Sequence, residues 1–297
     1  MKKALLIVGP TGIGKTDLAV YLSKKFPSTL ISADSIQVYR GADIISGKDR
    51  SVPTYLVDVL SPSQSFSVRE FIEKVRPLVE KSKKENKLPI IVGGTGFYID
   101  ALFGKIETIN IPPNQKLRKK LEKLSIESLQ KKLKKTNPHR FGEMNNSDRN
   151  NKRRLIRALE ISLSGDRSID HYPIFKEDEV LFLGLKDSME NLKKRIALRV
   201  EQRLQSGALR EARRLFKNYE KLSTQIKAAV GYKQLFDFLA GRIIFEKAVQ
   251  KWVIAEAQLA KKQTTWLKRN RNIVWFNIGQ RGFEAKILRL IKHEFPS

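Results

Sequence analysis

The chain has 297 residues, 41% of them hydrophobic, enough for one large core or two smaller ones and no sign of disorder. Cysteine is absent, which removes disulfides, thiolate zinc sites and cysteine nucleophiles, and the histidines His139, His171 and His293 form no HExxH-like pair, so no histidine metal site is expected. The 58 Lys plus Arg against 31 Asp plus Glu leave a formal net charge of +27, which points to a polyanionic partner such as nucleic acid, although a generally basic proteome has the same sign.

The opening Met1-Lys2-Lys3 precedes the apolar run Ala4-Leu5-Leu6-Ile7-Val8, shorter than the roughly 7–15 residues of a signal-peptide core. It reads as a buried first strand. No apolar run reaches the roughly 18 residues of a membrane span, so a soluble, cytoplasmic protein without membrane attachment is expected. Directly behind the strand, Gly9-Pro10-Thr11-Gly12-Ile13-Gly14-Lys15-Thr16 fits the phosphate-loop pattern G-x-x-x-x-G-K-[ST], and Leu18, Ala19 and Leu22 follow at helical spacing. Each residue type has its reason. Glycines let backbone N–H groups turn onto phosphate oxygens, the helix N-terminus adds positive potential, Lys15 neutralises charge, and the Thr16 hydroxyl can ligate Mg²⁺. A diphosphate or triphosphate is expected there, but kinases, NTPases and transferases with a pyrophosphate leaving group could all use the cradle.

A second short apolar run ends in Ser32-Ala33-Asp34-Ser35-Ile36-Gln37-Val38-Tyr39-Arg40-Gly41. An acid at the carboxyl end of such a strand points into the crevice beside the phosphate loop, where α/β proteins bind ligands. Asp34 has a simpler use as well, capping the free N–H groups of the next turn. Ser67-x-x-Glu70 is a capping box opening a helix over residues 67–84, and Pro89-Ile90-Ile91-Val92 is a buried strand running into Gly93-Gly94-Thr95-Gly96-Phe97-Tyr98. A Walker B acid is missing there, which counts against an ordinary ATPase. The Gly-Gly-Thr turn could offer N–H groups and a hydroxyl to a second anionic group, or could be a tight turn requiring positive φ.

Pro112-Pro113 breaks the pattern, and a Lys-rich stretch with Leu117, Leu121 and Leu124 on one stripe opens a helical insertion, placed over residues 112–175. Strand-like runs return at 180–185 and 273–276, so residues 1–111 and 176–297 form one core: an α/β, P-loop NTPase-like, mostly parallel sheet flanked by helices. Between those runs Arg195, Arg199 and Arg203 recur at four-residue spacing, the mark of a solvated helix face when read alone. No heptad repeat suggests a dimer seam, so a monomer is expected.

Taken together, Gly9 to Thr16, Ser32 to Gly41, Val92 to Tyr98, Arg154-Leu155-Ile156-Arg157-Ala158-Leu159-Glu160, Val230-Gly231-Tyr232-Lys233-Gln234 and the tail Ala260-Lys261-Lys262-Gln263-Thr264-Thr265-Trp266 resemble the tRNA dimethylallyltransferases, or tRNA isopentenyltransferases. The resemblance runs through nearly the whole chain. It implies transfer of the dimethylallyl group of dimethylallyl pyrophosphate to N6 of the adenine 3′ of the anticodon, with Mg²⁺ and release of pyrophosphate. By similarity Asp34 would be the general base, with Lys15, Thr95 and Arg199 the other catalytic residues. Gly9, Thr11, Gly12, Ile13, Gly14, Lys15, Thr16 and Arg199 would hold the donor, and Thr16 the metal. Contacts to the tRNA anticodon stem-loop would fall on Asp34, Ser35, Ile36 and Gln37, on Thr95, on Arg153, Arg154, Leu155, Ile156 and Arg157, and on the segment Ala228 to Lys233, with Gly231, Tyr232 and Lys233 in it. The adenine should be flipped out beside Asp34, with Tyr39, Tyr98 and Tyr232 as candidate stacking partners or core residues.

The sequence departs from the family pattern at Asp148-Arg149 before Asn150-Asn151, where His-Pro is usual, and at Glu256-Ala257, where Thr-Arg is usual. It also differs within residues 41–48 and at Ala229, the usual Cys position; these changes bear on the RNA side more than on the donor side. Two other readings are weighed. A P-loop kinase using ATP would explain the first sheet but not the excess positive charge, and an RNA-binding relative without activity would not explain an intact Lys15, Thr16 and Asp34.

Overall fold

The computed structural model describes residues 2–164 and 173–296; His171 and the end of the insertion lie outside the described residues. By its internal contacts the chain divides into Met1–Phe103 with Pro173–Ser297, and Gly104–Tyr172.

The first unit is built on β1 (Ala4–Val8), α1 (Lys15–Ser23), β2 (Ser28–Ser32), β3 (Thr54–Tyr55), α2 (Val68–Lys84), β4 (Leu88–Val92) and α3 (Gly96–Leu102). The second holds five short helices: α4 (Gln115–Leu121), α5 (Ile126–Thr136), α6 (Pro138–Glu143), α7 (Asn146–Arg149) and α8 (Lys152–Leu163). The chain then re-enters the first unit with β5 (Val180–Lys186), α9 (Met189–Gln205), α10 (Ala208–Phe216), α11 (Thr224–Ala228), α12 (Tyr232–Leu239), α13 (Phe245–Leu267), β6 (Ile273–Asn277) and α14 (Phe283–Glu294).

The six strands form one sheet in the order β3-β2-β4-β1-β5-β6, every pair parallel. Parallel strands covered on both faces need unbroken apolar runs, and all five residues of β1 are buried. Because β4 lies between β1 and β2, the carboxyl ends of these three strands converge at one edge of the sheet. Ligands of open α/β sheets bind at such an edge. Ser67 caps α2, accepting from Glu70 N while the Glu70 side chain accepts from Ser67 N at 2.7 Å.

The second unit has its own core of Leu121, Leu129, Leu133, Leu155 and Leu159, packed along α4, α5 and α8. Buried Glu160 organises its polar side, accepting from Asn114 N and from both Arg118 and Arg157. Burial alone would raise the Glu160 carboxyl, but the two arginines outweigh it and hold it below the usual range. This unit begins at Gly104, ahead of the expected 112, for a visible reason: Arg157 Nη2 donates to the carbonyls of Thr108 and Ile111 and ties that segment to α8. At the other end, Ile174 N and Phe175 N donate to Leu102 O, which returns the chain to the first unit.

Candidate active site

The loop between β1 and α1 turns on Gly12 (φ 81°) and Gly14 (φ 95°), backbone angles that glycine adopts without steric cost. Ile13 between them is 1% exposed and packs into the core, so it anchors the loop and offers a ligand only its backbone. Lys15 Nζ donates to Pro10 O at 2.8 Å. Burial, assisted by the Arg199 guanidinium, pushes the Lys15 ammonium down from 10.5 to about 8, with Asp34 and Glu256 pulling the other way. Thr16 follows at the start of α1 and lines the same cleft, of about 1070 Å³.

Asp34 stands just beyond β2 and serves both uses that the sequence allowed. Its Oδ1 accepts from Ile36 N (2.8 Å) and Gln37 N (3.3 Å), capping the turn. Its Oδ2 has no hydrogen-bond partner among the described residues and the residue lines the cleft. Gln37 is locked by Ser32 Oγ (2.8 Å) and donates to the carbonyls of Ser46 and Gly47.

The arginines of α9 are not a solvated face. Arg195 Nε donates to Gly12 O (3.2 Å), Arg199 Nη2 to both Thr11 Oγ1 (2.6 Å) and Glu256 Oε2 (2.5 Å), and Arg203 Nη1 to Glu256 Oε1 (2.8 Å). The four-residue spacing sets all three on one stripe of the helix, growing more buried along it, with Arg195 and Arg199 on the phosphate loop and Arg203 on Glu256. Burial, reinforced by Arg199, lowers the Arg203 guanidinium to about 10. Burial alone would raise Glu256, but Arg199 and Arg203 hold it below the ordinary carboxylate range.

Residues that the sequence reading gave no task complete the cleft. Gln263 of α13 clips two loops together, its Oε1 accepting from Thr11 N (2.7 Å) and its Nε2 donating to Gly94 O (3.0 Å). Glu211 of α10 accepts from three successive backbone N–H groups, Asp43, Ile44 and Ile45, and from Tyr232 Oη at 2.6 Å, so it fixes the wall formed by residues 43–47. Lys48, with a fully buried side chain, closes that wall against Asp43, Asp58 and Tyr39 O.

The alternative of a glycine turn requiring positive φ is corrected, and the other expected site residues are placed as follows. Gly93, Gly94 and Gly96 do not have positive φ. They are needed for close approach: an added Cβ would meet Ala33 O at 2.3 Å, Gln263 Nε2 at 2.5 Å and the Trp266 ring at 2.7 Å respectively. Thr95 is the N-cap residue of α3, without a side-chain capping bond, and is not part of the cleft lining. Tyr39, Tyr98 and Tyr232 are all buried; Tyr98 stacks on Phe71 at 4.2 Å, so none of the three presents a face to a base. Gly231 packs against Ile45 and Trp252, and the neighbouring residues that reach the cleft are Ala228, Ala229 and Val230. In the second unit Leu155 and Ile156 are core and Arg157 is committed to Glu160, whereas Arg153 and Arg154 are exposed, the latter paired with Asp148. Lys233 is exposed. Among the described residues no group of His, Asp and Glu could by itself hold a metal ion, and no helix is long and apolar enough to cross a membrane.

A parallel sheet with a phosphate loop after β1, an acid after β2, and a glycine turn without an acid after β4 defines a P-loop α/β protein built to hold a phosphorylated ligand beside a carboxylate. Comparison with known proteins narrows the class: the chain belongs to the IPP transferase family, whose model matches residues 37–270, while an isopentenyl transferase model matches residues 2–56. It is 33% identical to the tRNA dimethylallyltransferase of Halalkalibacterium halodurans, over 99% of this chain and 96% of that one. It is 35% identical to the enzyme of that name in Bacillus anthracis, over 98% and 96%. Among solved structures, the tRNA isopentenylpyrophosphate transferase of Bacillus halodurans is 32% identical with TM-score 0.72, over 99% of this chain and 97% of that one. A eukaryotic dimethylallyltransferase acting on tRNA is 26% identical with TM-score 0.81, over 98% of this chain and 78% of its own length. The kinase and inactive-relative readings are not favoured.

Proposed function

We infer that this protein transfers the dimethylallyl group of dimethylallyl pyrophosphate to the exocyclic N6 of the adenine 3′ of the anticodon in tRNA. The observation that carries this reading is one cleft lined by Lys15, Thr16 and Arg199 on one side and by the uncommitted Oδ2 of Asp34 on the other. Kinship with tRNA dimethylallyltransferases supports the substrates.

The adenine nitrogen attacks the allylic C1 of the donor, the C1–O bond breaks, and the N6 proton passes to Asp34. Negative charge grows on the bridging oxygen of the departing pyrophosphate, where Lys15, Arg199 and the N–H groups of residues 12–16 oppose it. Asp34 Oδ1 stays on the turn that it caps, so the base is held in one orientation while Oδ2 faces the substrate. The Thr16 hydroxyl would help hold a Mg²⁺ ion, which would supply charge neutralisation of the pyrophosphate. Exposed Arg153, Arg154 and Lys233 supply phosphate contacts to RNA, and Ser35, Ile36 and Gln37 lie where the target base enters. A monomer acting in the cytoplasm, where tRNA is used, is part of the same proposal.

Calorimetry of the purified protein with dimethylallyl pyrophosphate and with ATP tests the donor assignment. Saturable binding of the prenyl donor, lost in Lys15→Met, is expected; ATP bound in its place would overturn the reading.

A further inference from the structure

The face of α13 turned toward the phosphate loop carries a buried carboxylate that the transfer chemistry leaves without a task. Glu256 is 4% exposed yet lines the cleft. It accepts from Arg199 through Oε2 (2.5 Å) and from Arg203 (2.8 Å) and Trp252 Nε1 (3.1 Å) through Oε1. The Arg199 Nη2 that it holds also donates to Thr11 Oγ1, and the Arg199 Nε is buried without a hydrogen-bond partner among the described residues.

Lys15, Arg199 and Arg203 are among the cations that line the cleft, with Arg195 at its rim; acids line it too, and of these Glu256 bonds both Arg199 and Arg203 directly. Such a cluster favours an incoming polyanion, but it retains a departing one equally well. A neutral acceptor at position 256 could aim Arg199 by hydrogen bonding alone. A carboxylate does that and also opposes, by charge across a poorly solvated gap, any anion held in the cleft.

We propose that Glu256 is a positioning residue with two effects: it fixes Arg199 against Thr11, and its charge weakens the hold on released pyrophosphate so that product leaves. The inference rests on reading the cleft as a pyrophosphate-releasing transferase site. It makes Glu256 a determinant of product release, distinct from Asp34, which touches the reacting base.

The test is calorimetric titration of inorganic pyrophosphate into wild type and the Glu256→Gln, Glu256→Thr and Glu256→Asp variants, each checked for cooperative unfolding, with pyrophosphate inhibition of transfer measured alongside. The two neutral variants should bind pyrophosphate about tenfold or more tightly, and be inhibited at correspondingly lower concentration with a reduced kcat. Glu256→Asp, which keeps the charge, should stay within about twofold of wild type, as expected of a charge effect. Unchanged or weaker binding in the neutral variants, as a purely structural role requires, would overturn the proposal. Should the neutral variants fail to fold, an affinity in Glu256→Asp far from wild type would overturn it as well. Wild type that binds no pyrophosphate at all would instead sink the transferase reading beneath it.

Discussion

Asp34 and Lys15 are where individual side chains carry the account. Asp34→Asn keeps an oxygen to accept from Ile36 and Gln37 but cannot take a proton, so turnover should fall on the order of a hundredfold or more while tRNA affinity is retained. Single-turnover rates beside filter-binding affinities decide this; unchanged turnover would remove Asp34 as the base. Lys15 makes a pH prediction whose sign is fixed. Its ammonium titrates at about 8 in the fold against 10.5 ordinarily, so between those values the unfolded chain binds more protons and the folded state gains stability as pH rises. Urea unfolding of the ligand-free protein should show that gain relative to Lys15→Met across pH 8 to 10.5, and a relative loss would contradict it. The places of Asp34, Lys15 and Thr16 beside one cleft were legible in the sequence because a strand end or a loop of fixed pattern sets them, while their proposed roles come from the resemblance. Glu256 was visible only as a departure, since its meaning lies in two arginines some fifty residues away on another helix.

Elements acquire function here by holding loops. Helices α10, α12 and α13 press Glu211, Tyr232 and Gln263 onto the loops at the sheet edge, and these contacts bridge distant parts of the chain. Tyr232→Phe leaves the packing intact but removes a hydrogen bond to a buried carboxylate, so it should cost about 1.5–3 kcal/mol by urea denaturation. No loss of stability, with weakened RNA binding in its place, would restore Tyr232 to the RNA surface. Gly96→Ala should destabilise by about 1–3 kcal/mol in the same measurement, because the new methyl meets the Trp266 ring. The strands at 4–8, 88–92, 180–186 and 273–277 could be read from apolar runs, and α2 from its capping box. The two-residue β3 could not, because Thr54–Tyr55 is too short to show a period. The glycines of residues 93–96 were open to a wrong explanation as well: the need for close approach comes from Ala33 for Gly93, and for Gly94 and Gly96 from a helix more than a hundred and fifty residues later.

At the scale of the whole molecule the account joins a charge excess to a reaction. A net charge of +27 should make tRNA binding fall steeply with salt, whereas donor binding in a partly enclosed cleft should be less sensitive. Titrations between 50 and 200 mM salt compare the two, and a tRNA affinity independent of salt would count against phosphate contacts by residues such as Arg153 and Lys233. The division into two units was legible from Pro112-Pro113 and the Lys-rich stretch behind it, but the true start at Gly104 depends on the hydrogen bonds of Arg157, which no local pattern announces. The central claim is prenyl transfer to one adenine. Its most direct test is incubation of the protein with radiolabelled dimethylallyl pyrophosphate, Mg²⁺ and an unmodified anticodon stem-loop, beside a stem-loop in which the adenine 3′ of the anticodon is replaced. Label in the first RNA and none in the second is the predicted result; label in neither, or equally in both, would contradict it.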